Sequence, residues 1–442
     1  MTLQNRRTYW LSTRESIMSH GQPLSLVSVS LVILLGFWAT TLAQPNVLAR
    51  IPLQNFLKNV LHFDRSSTAA FFFWIGLPWY IKPLIGVFSD AYPVLGSRRR
   101  SYLIIGCLIA VGAWCFLSVS AYSYRALLIT CMIINLAIVV ASTALGGYLV
   151  EIAQASERSG RISSLRNVGY QSAMLLSGVG GGFLGAVAMG WTAFACGSIA
   201  FSAIPVAWWL MRERYHEPAG AKFATDFGSE LRVMGRASAL WGVAALAALY
   251  YIAPGLSTAL FYLQQNTMHL DTQHQGYLNF CGGAAGLLAA IVYGLVVARR
   301  ISLRTLLVAC LTQGAAVGLL YLWYDRFGIA LMIEAANGLA GGLCEIVIIH
   351  AAVRATPVGS EALGFAVFMA VRNLLMWGSD WLGSAMIDEL HIQLSTLIFI
   401  NAGTTLLAAP LALLLPRHLV DARDMTTAPT EETQKAARIA EA

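Results

Sequence analysis

Apolar residues run along this chain in blocks of roughly 20, separated by short polar or charged breaks, without the strict alternation of half-buried strands. Twelve blocks can be marked, near 26–48, 69–89, 101–121, 126–150, 164–188, 191–211, 238–262, 275–297, 303–323, 328–350, 363–386 and 394–415. As helices rising 1.5 Å per residue, they match a hydrocarbon layer of about 30 Å. They are too long and too little alternating for barrel strands, and lipid offers their backbones no other hydrogen-bond partners. The pattern predicts an all-α integral membrane protein with twelve transmembrane helices.

Composition removes the soluble alternatives. Hydrophobic residues make up 57% of the 442 positions and charged residues 12%, too few to coat a soluble core of this size. The formal charge of +7 is spread over short loops, which excludes a basic nucleic-acid face. Counting Lys and Arg outside the blocks, together with Arg304 at the edge of its block, the tails and even-numbered loops hold 21. The odd-numbered loops hold five: Arg50, Lys58, Arg65, Arg125 and Arg326. Positive residues stay inside, so both termini are expected in the cytoplasm, with the chain in the plasma membrane, or the inner membrane of a Gram-negative cell. The N-terminus is polar for about two dozen residues and lacks a secretory signal. All seven cysteines fall within apolar blocks, as small packing residues and not as metal ligands or disulfides.

Self-comparison gives the domain organisation. Pro45 matches Pro254, Asp64 in "LHFD" matches Asp271 in "MHLD", and Gly86 matches Gly294. "SERSG" at 156–160 matches "SEALG" at 360–364, and Arg166 in "LRN" matches Arg372 in "VRN". Five matches in order, at offsets of 204 to 209, mean a duplicated unit of six helices. The expected organisation is a cytoplasmic segment 1–25, a six-helix half 26–212, a linker 213–237, a second half 238–416 and a tail 417–442. Phe223, Phe227, Leu231 and Met234 recur at helical spacing, which predicts a short amphipathic helix in the linker. Parallel repeats of this kind are the architecture of major-facilitator transporters, whose substrate site lies between the halves near the midplane.

The segment 77–104, "LPWYIKPLIGVFSDAYPVLGSRRRSYLI", is the most specific stretch. Gly86, Asp90 and the cluster Arg98, Arg99, Arg100 form an extended gating loop between the second and third helices, in which Asp90 can pair with an arginine of the cluster. With Pro78, Trp79, Lys82, Pro83, Ser89, Pro93, Gly96, Tyr102 and the preceding "NFLKNVLHFD", this segment resembles the folate-biopterin transporters of the major facilitator superfamily. The resemblance is strong over about 45–105 and implies uptake of a folate- or pterin-like solute. In one respect the chain departs from that pattern: "VASTALGGYLVE" carries no acidic residue before Glu151. Muropeptide and siderophore permeases of the same architecture are the alternative cargo classes.

Charges within the apolar blocks are costly and are the first candidates for function. Arg372, Arg166 and Lys82 are candidate substrate-binding cations, since a guanidinium stays charged and grips a carboxylate with two bonds. Either Glu345 or Asp380 can pair with Arg372. Glu345, Glu334 and Asp380 are candidate proton-coupling carboxylates. His350 reads as an interfacial residue. Trp38, Trp79 and Trp377 are candidates for stacking on a flat heterocycle. The glycine run 177–185 is expected to pack closely on "CGGAAG" at 281–286. No G-x-x-x-x-G-K-[ST] and no HExxH occurs, so neither an ATPase nor an intramembrane enzyme is expected, and no cofactor or metal. The expected partners are a small-molecule substrate, H+ and the lipid bilayer, with the monomer as functional unit. A transporter-shaped solute sensor is the reading from another class, disfavoured by the short tail.

Overall fold

The computed structural model describes residues 26–119, 123–156, 159–211, 213, 235–297, 300–356 and 361–416, which are helical with no strand among them. In chain order the first half holds α1 (Leu26–Leu42), α2 (Arg50–Asn59), α3 (Arg65–Ile75), α4 (Leu77–Tyr80), α5 (Lys82–Ala91), α6 (Arg100–Val119), α7 (Tyr124–Ser156), α8 (Ser159–Gly185) and α9 (Met189–Leu210). The second half holds α10 (Ser238–Tyr251), α11 (Ser257–Asn266), α12 (Thr272–Val292), α13 (Leu303–Gly318), α14 (Phe327–Ala355), α15 (Glu361–Asp388) and α16 (Leu394–Leu414). Among the described residues, seven helices are long and apolar enough to cross a membrane. The tails and nearly all of the linker helix expected within 213–237 lie outside the described residues.

Three blocks read as continuous helices are broken, and the breaks follow from proline and glycine chemistry. Pro45 and Pro254 cannot donate a backbone hydrogen bond, so α1 gives way to α2 and α10 to α11. Neighbouring helices satisfy backbone groups at both breaks. Trp114 Nε1 donates to the Ala43 carbonyl at 3.0 Å. Asn401 Nδ2 donates to the Pro254 carbonyl at 2.9 Å, and Gly255 N–H donates to the Ser379 carbonyl at 2.8 Å. The second block divides into α3, α4 and α5 at Gly76 and Ile81, with Pro78 and Pro83 in the first turns of the following pieces. Asn135 Nδ2 reaches across from α7 to the Ile75 carbonyl at 2.7 Å. α2 lies beyond its apolar block and α11 runs past its own, ending at Asn59 and Asn266.

The internal repeat reappears as backbone geometry. Leu61 N–H donates to Phe56 O and Phe63 N–H to Leu57 O, and 207 residues later Met268 N–H donates to Leu263 O and Leu270 N–H to Gln264 O. His62 and His269 hold the left-handed conformation in these turns, at φ 56° and 53°. Asp64 then caps α3 through Ser67 N–H, and Asp271 caps α12 through His274 N–H, each at 2.8 Å. A third turn of this kind ends α15, where His391 has φ 55° and Ile392 N–H donates to Met386 O at 3.1 Å.

Buried apolar clusters form along each stretch of the chain. One gathers around Trp114, Phe71 and Phe72, where Trp377 of α15 joins it, and another around Leu246, Leu307 and Val347. Two seams join the halves. Along α8 and α12 the contact is backbone against backbone: a β-carbon at Gly178 would fall 2.9 Å from Phe280 N, and one at Gly182 would fall 2.7 Å from Thr272 O. Of the glycines expected as partners in 281–286, Gly283 faces Leu175 of α8, while the other two serve a different contact. Gly282 and Gly286 face Gly338 and Gly342 of α14, whereas Gly276, one to two turns earlier, meets Gly178 and Gly182. Helical rotation decides this, since 3.6 residues per turn put Gly276 and Gly282 on different faces.

Candidate functional site

The seam between α3 and α15 is polar and closes one end of the bundle. Arg65 Nη1 pairs with Asp388 Oδ1 at 2.6 Å, Ser66 N–H donates to Asp388 Oδ2 at 2.9 Å, and Ser66 Oγ donates to Glu389 at 3.1 Å. The Tyr262 hydroxyl lies 2.9 Å from Thr68 Oγ1 and donates to the Phe63 carbonyl at 2.5 Å. Lys58 Nζ donates to Gln265 Oε1 at 2.9 Å and Arg50 Nη2 to Ser257 Oγ at 2.7 Å, each pair lying 207 residues apart in sequence. Residues thus touch their own repeat counterparts, as expected at an axis relating two copies.

Asp380 belongs to this seal. Its carboxylate accepts from Thr258 N–H at 2.9 Å and Thr258 Oγ1 at 2.7 Å, holding the start of α11, and lies 4.0 Å from Arg50. It is not the partner of Arg372. Trp377 is buried there too, stacked on Phe72 at 6.0 Å with the Arg50 guanidinium 5.0 Å from its ring. Its faces are taken by protein.

A second constellation sits further along α15. Arg372 Nη2 forms a hydrogen-bonded ion pair with Glu345 of α14. The same guanidinium donates to Asn373 Oδ1 at 3.0 Å and to the Tyr251 hydroxyl at 3.3 Å. Eight residues at 1.5 Å each put Arg372 about 12 Å from the level of Asp380. Across from it, Tyr170 of α8 lies within electrostatic reach of Arg372, Glu345 and Arg166, and Arg166 within reach of Lys82. Arg166 and Tyr170 are exposed, and the Arg166 guanidinium lies 5.3 Å from the Phe37 ring. Trp38 is exposed beside it and donates from Nε1 to Ser172 Oγ at 2.7 Å. Lys82 Nζ donates to Ser142 Oγ at 3.0 Å and lies 4.8 Å from the Trp79 ring.

Lys82, Arg166, Arg372 and Glu345 are therefore brought together from both halves, whereas Trp377 and Asp380 lie in the seal. Glu334 stands apart, hydrogen-bonded by Tyr324 at 2.8 Å and Tyr321 at 3.4 Å. His350 meets the Tyr293 hydroxyl at 2.5 Å. Sequence reasoning passed over Tyr170, Tyr251, Asn135 and the seal residues Arg50 and Arg65. The two arginines were counted only as loop charges, and a tyrosine in an apolar block carries no signal of its own.

Asn135 is the positioning residue for Trp79, the ring beside which the Lys82 ammonium lies. Fully buried, it accepts from Trp79 Nε1 at 3.3 Å while donating to the Ile75 carbonyl. Asn135→Ala leaves both groups without that partner, so stability is expected to fall by about 2 kcal/mol. A lowered melting temperature in detergent checks this; an unchanged one contradicts it.

The expected gating loop folds as a tight turn leading into α6. Leu95 and Gly96, at φ 53° and 73°, make a tight turn closed by mutual bonds of 3.0 Å between Val94 and Ser97. Glu213 accepts from the backbone N–H groups of Arg98, Arg99 and Arg100 at 2.7 to 3.0 Å and thus covers the positive N-terminus of α6. Arg99 Nε pairs with Glu151 at 2.9 Å, and a side chain at Gly147 would collide with its guanidinium. The Asp90 side chain lies outside the described ones; Gly86 faces Thr143 of α7.

The sequence pattern of the BT1 family matches residues 45–434. A folate-biopterin transporter of Synechocystis sp. is 24% identical, covering 86% of this chain and 80% of its own. Probable folate-biopterin transporter 2 of Arabidopsis thaliana is 23% identical, covering 78% and 73%. Among solved structures, a peptide transporter in complex with sulfate superposes with a TM-score of 0.70 at 12% identity, over 92% of this chain and 99% of that one. A D-xylose-proton symporter superposes with a TM-score of 0.65 at 12% identity, over 88% and 96%.

Proposed function

The chain belongs to the BT1 family, that of the folate-biopterin transporters of the major facilitator superfamily, and is a membrane transporter and not an enzyme; on that premise we propose that it is a secondary active transporter importing a folate- or pterin-like anion by alternating access, coupled to protons. The observation that carries the reading is the Arg372–Glu345 pair of the second half with Tyr170 of the first half in electrostatic reach of both, Arg166 in reach of Tyr170 and Lys82 in reach of Arg166. Three cations against one anion leave net positive charge where a carboxylate-bearing solute would sit. The exposed Trp38 and Tyr170 offer flat faces for a ring.

Twelve membrane-crossing helices in halves 26–212 and 238–416 complete the reading, with both termini cytoplasmic in the plasma membrane. Under the charge bias of the loops, the sealed end faces outward, so the site opens toward the cytoplasm. A substrate carboxylate competes with Glu345 for Arg372, and a proton on Glu345 releases the arginine to it. The same exchange run backwards ejects the substrate.

Uptake by purified protein in liposomes under an imposed pH gradient tests the reading, with folates, pterins, ferric siderophores and anhydro-muropeptides as competitors. Folates or pterins are expected to compete; accumulation of the siderophore or muropeptide alone would overturn the cargo. In Glu345→Gln, gradient-driven accumulation is expected to fall about tenfold or more while substrate exchange persists. Intact accumulation in that variant would exclude Glu345 from coupling.

A further inference from the structure

Glu334 takes no part in the substrate site, yet it is a carboxylate placed inside a membrane helix with no cation bonded to it among the described residues. Tyr324 donates to Oε1 at 2.8 Å and Tyr321 to Oε2 at 3.4 Å, and among the described residues neither oxygen meets a Lys, Arg or His within ion-pair distance. The other described intramembrane carboxylates differ: Glu345 has Arg372, and Asp380 has Thr258 with Arg50 nearby. On the α12 side the neighbour is Gly282, where a side chain would come within 3.6 Å of Oε2.

The cage continues into the seal. Gln264 Nε2 donates to the Tyr324 hydroxyl at 2.9 Å, so the bonds run in one direction from α11 through Tyr324 to Glu334. Gln265, the next residue of α11, accepts from Lys58 at 2.9 Å and donates to Asn55 at 3.2 Å across the junction of the halves. Adjacent residues of one short helix thus hold Glu334 and the closed end of the bundle.

Other titratable groups on the packed elements are engaged elsewhere. On α12 the Cys281 thiol donates to the Leu331 carbonyl at 3.5 Å, and on α11 Tyr262 bonds in the seal. At the helix ends, His274 pairs with Asp271 at 2.7 Å and Arg326 with Asp325 at 3.8 Å.

We propose that Glu334 is a proton-binding site separate from the substrate site, and that its charge state sets how firmly α11 is held in the seal. A proton added at Oε2, where the phenol bond is longer, forms an O–H bond and neutralises the group. The Tyr324 bond to Oε1 then changes from a charge-assisted bond to a neutral one of about half the strength. The Tyr324 hydroxyl and Gln264 behind it are correspondingly less constrained. Only the link to gate opening rests on the alternating-access reading; proton binding does not.

The test uses the full chain in lipid without substrate. Infrared difference spectra between acidic and alkaline buffer are expected to contain a protonated-carboxyl band that is lost in Glu334→Gln. Hydrogen exchange at 257–266 and 50–59 is expected to run about fivefold faster in Glu334→Gln, which imitates the neutral acid, than in the unaltered protein in alkaline buffer. An unchanged band, or exchange unchanged at both segments, overturns the proposal. Should Glu334→Gln not fold, Tyr324→Phe keeps the carboxylate and is expected to move the midpoint of the band; an unmoved midpoint overturns it equally. Loss of the band together with failure of every solute in the uptake panel would sink the transport reading and leave the proton site standing.

Discussion

Uptake by Arg372→Ala is expected to fall about 100-fold or more at equal protein level in the membrane, with Arg372→Lys restoring only a small part. The guanidinium holds three partners at once: Glu345, Asn373 and the Tyr251 hydroxyl. A planar fork of donors can keep one bond to the protein while offering two to a carboxylate, and a lysine ammonium cannot reproduce that geometry. Arg372→Ala also leaves Glu345 without its cation, at a cost of about 1 kcal/mol, because the Glu345 side chain is 41% exposed and solvent screens it. Arg372→Ala combined with Glu345→Ala separates the two effects, because the stranded charge is gone. The double variant is expected to regain thermal stability and stay inactive in liposome uptake. Full uptake by either would remove Arg372 from the site.

Asp380→Ala is expected to be the most destabilising of these substitutions, by about 3–5 kcal/mol, because it strands Arg50 and removes the cap of α11 together. The carboxylate is 5% exposed and meets both the amide and hydroxyl of Thr258, where Pro254 has already cost the chain its helical continuity. Asp380→Asn keeps one acceptor oxygen for Thr258 and loses the charge facing Arg50, so an intermediate loss is expected. Thermal unfolding in detergent measures both. An Asp380→Ala protein as stable as the original would mean that Asp380 neither caps α11 nor holds the break at Pro254.

The alternating lengths of apolar and polar sequence were enough for helices and membrane class, because a bilayer imposes one length and one hydrogen-bonding solution on every block. The sequence match of Asp64 with Asp271 falls on two matching capped turns, since helix capping depends on residues close in sequence. Arg372 and Glu345 could be picked out as charges too costly to be idle, though Asp380 stood as an equal partner until the helices were packed. Glu334 and Glu345 occupy the same helix and were read as one kind of residue. Packing gives the first two phenols and the second a guanidinium.

What only the packed molecule could decide is which distant residues share a neighbour. Arg50, Lys58 and Arg65 look in the chain like loop charges that set topology, and in the fold they clasp Ser257, Gln265 and Asp388. The same holds for Gly282, which meets α14 where the composition of its neighbourhood pointed to α8. Local chemistry is written at spacings of three, four and seven residues. Contacts across some 200 residues depend on helix rotation and on the breaks at Pro45 and Pro254, to which the apolar pattern is blind.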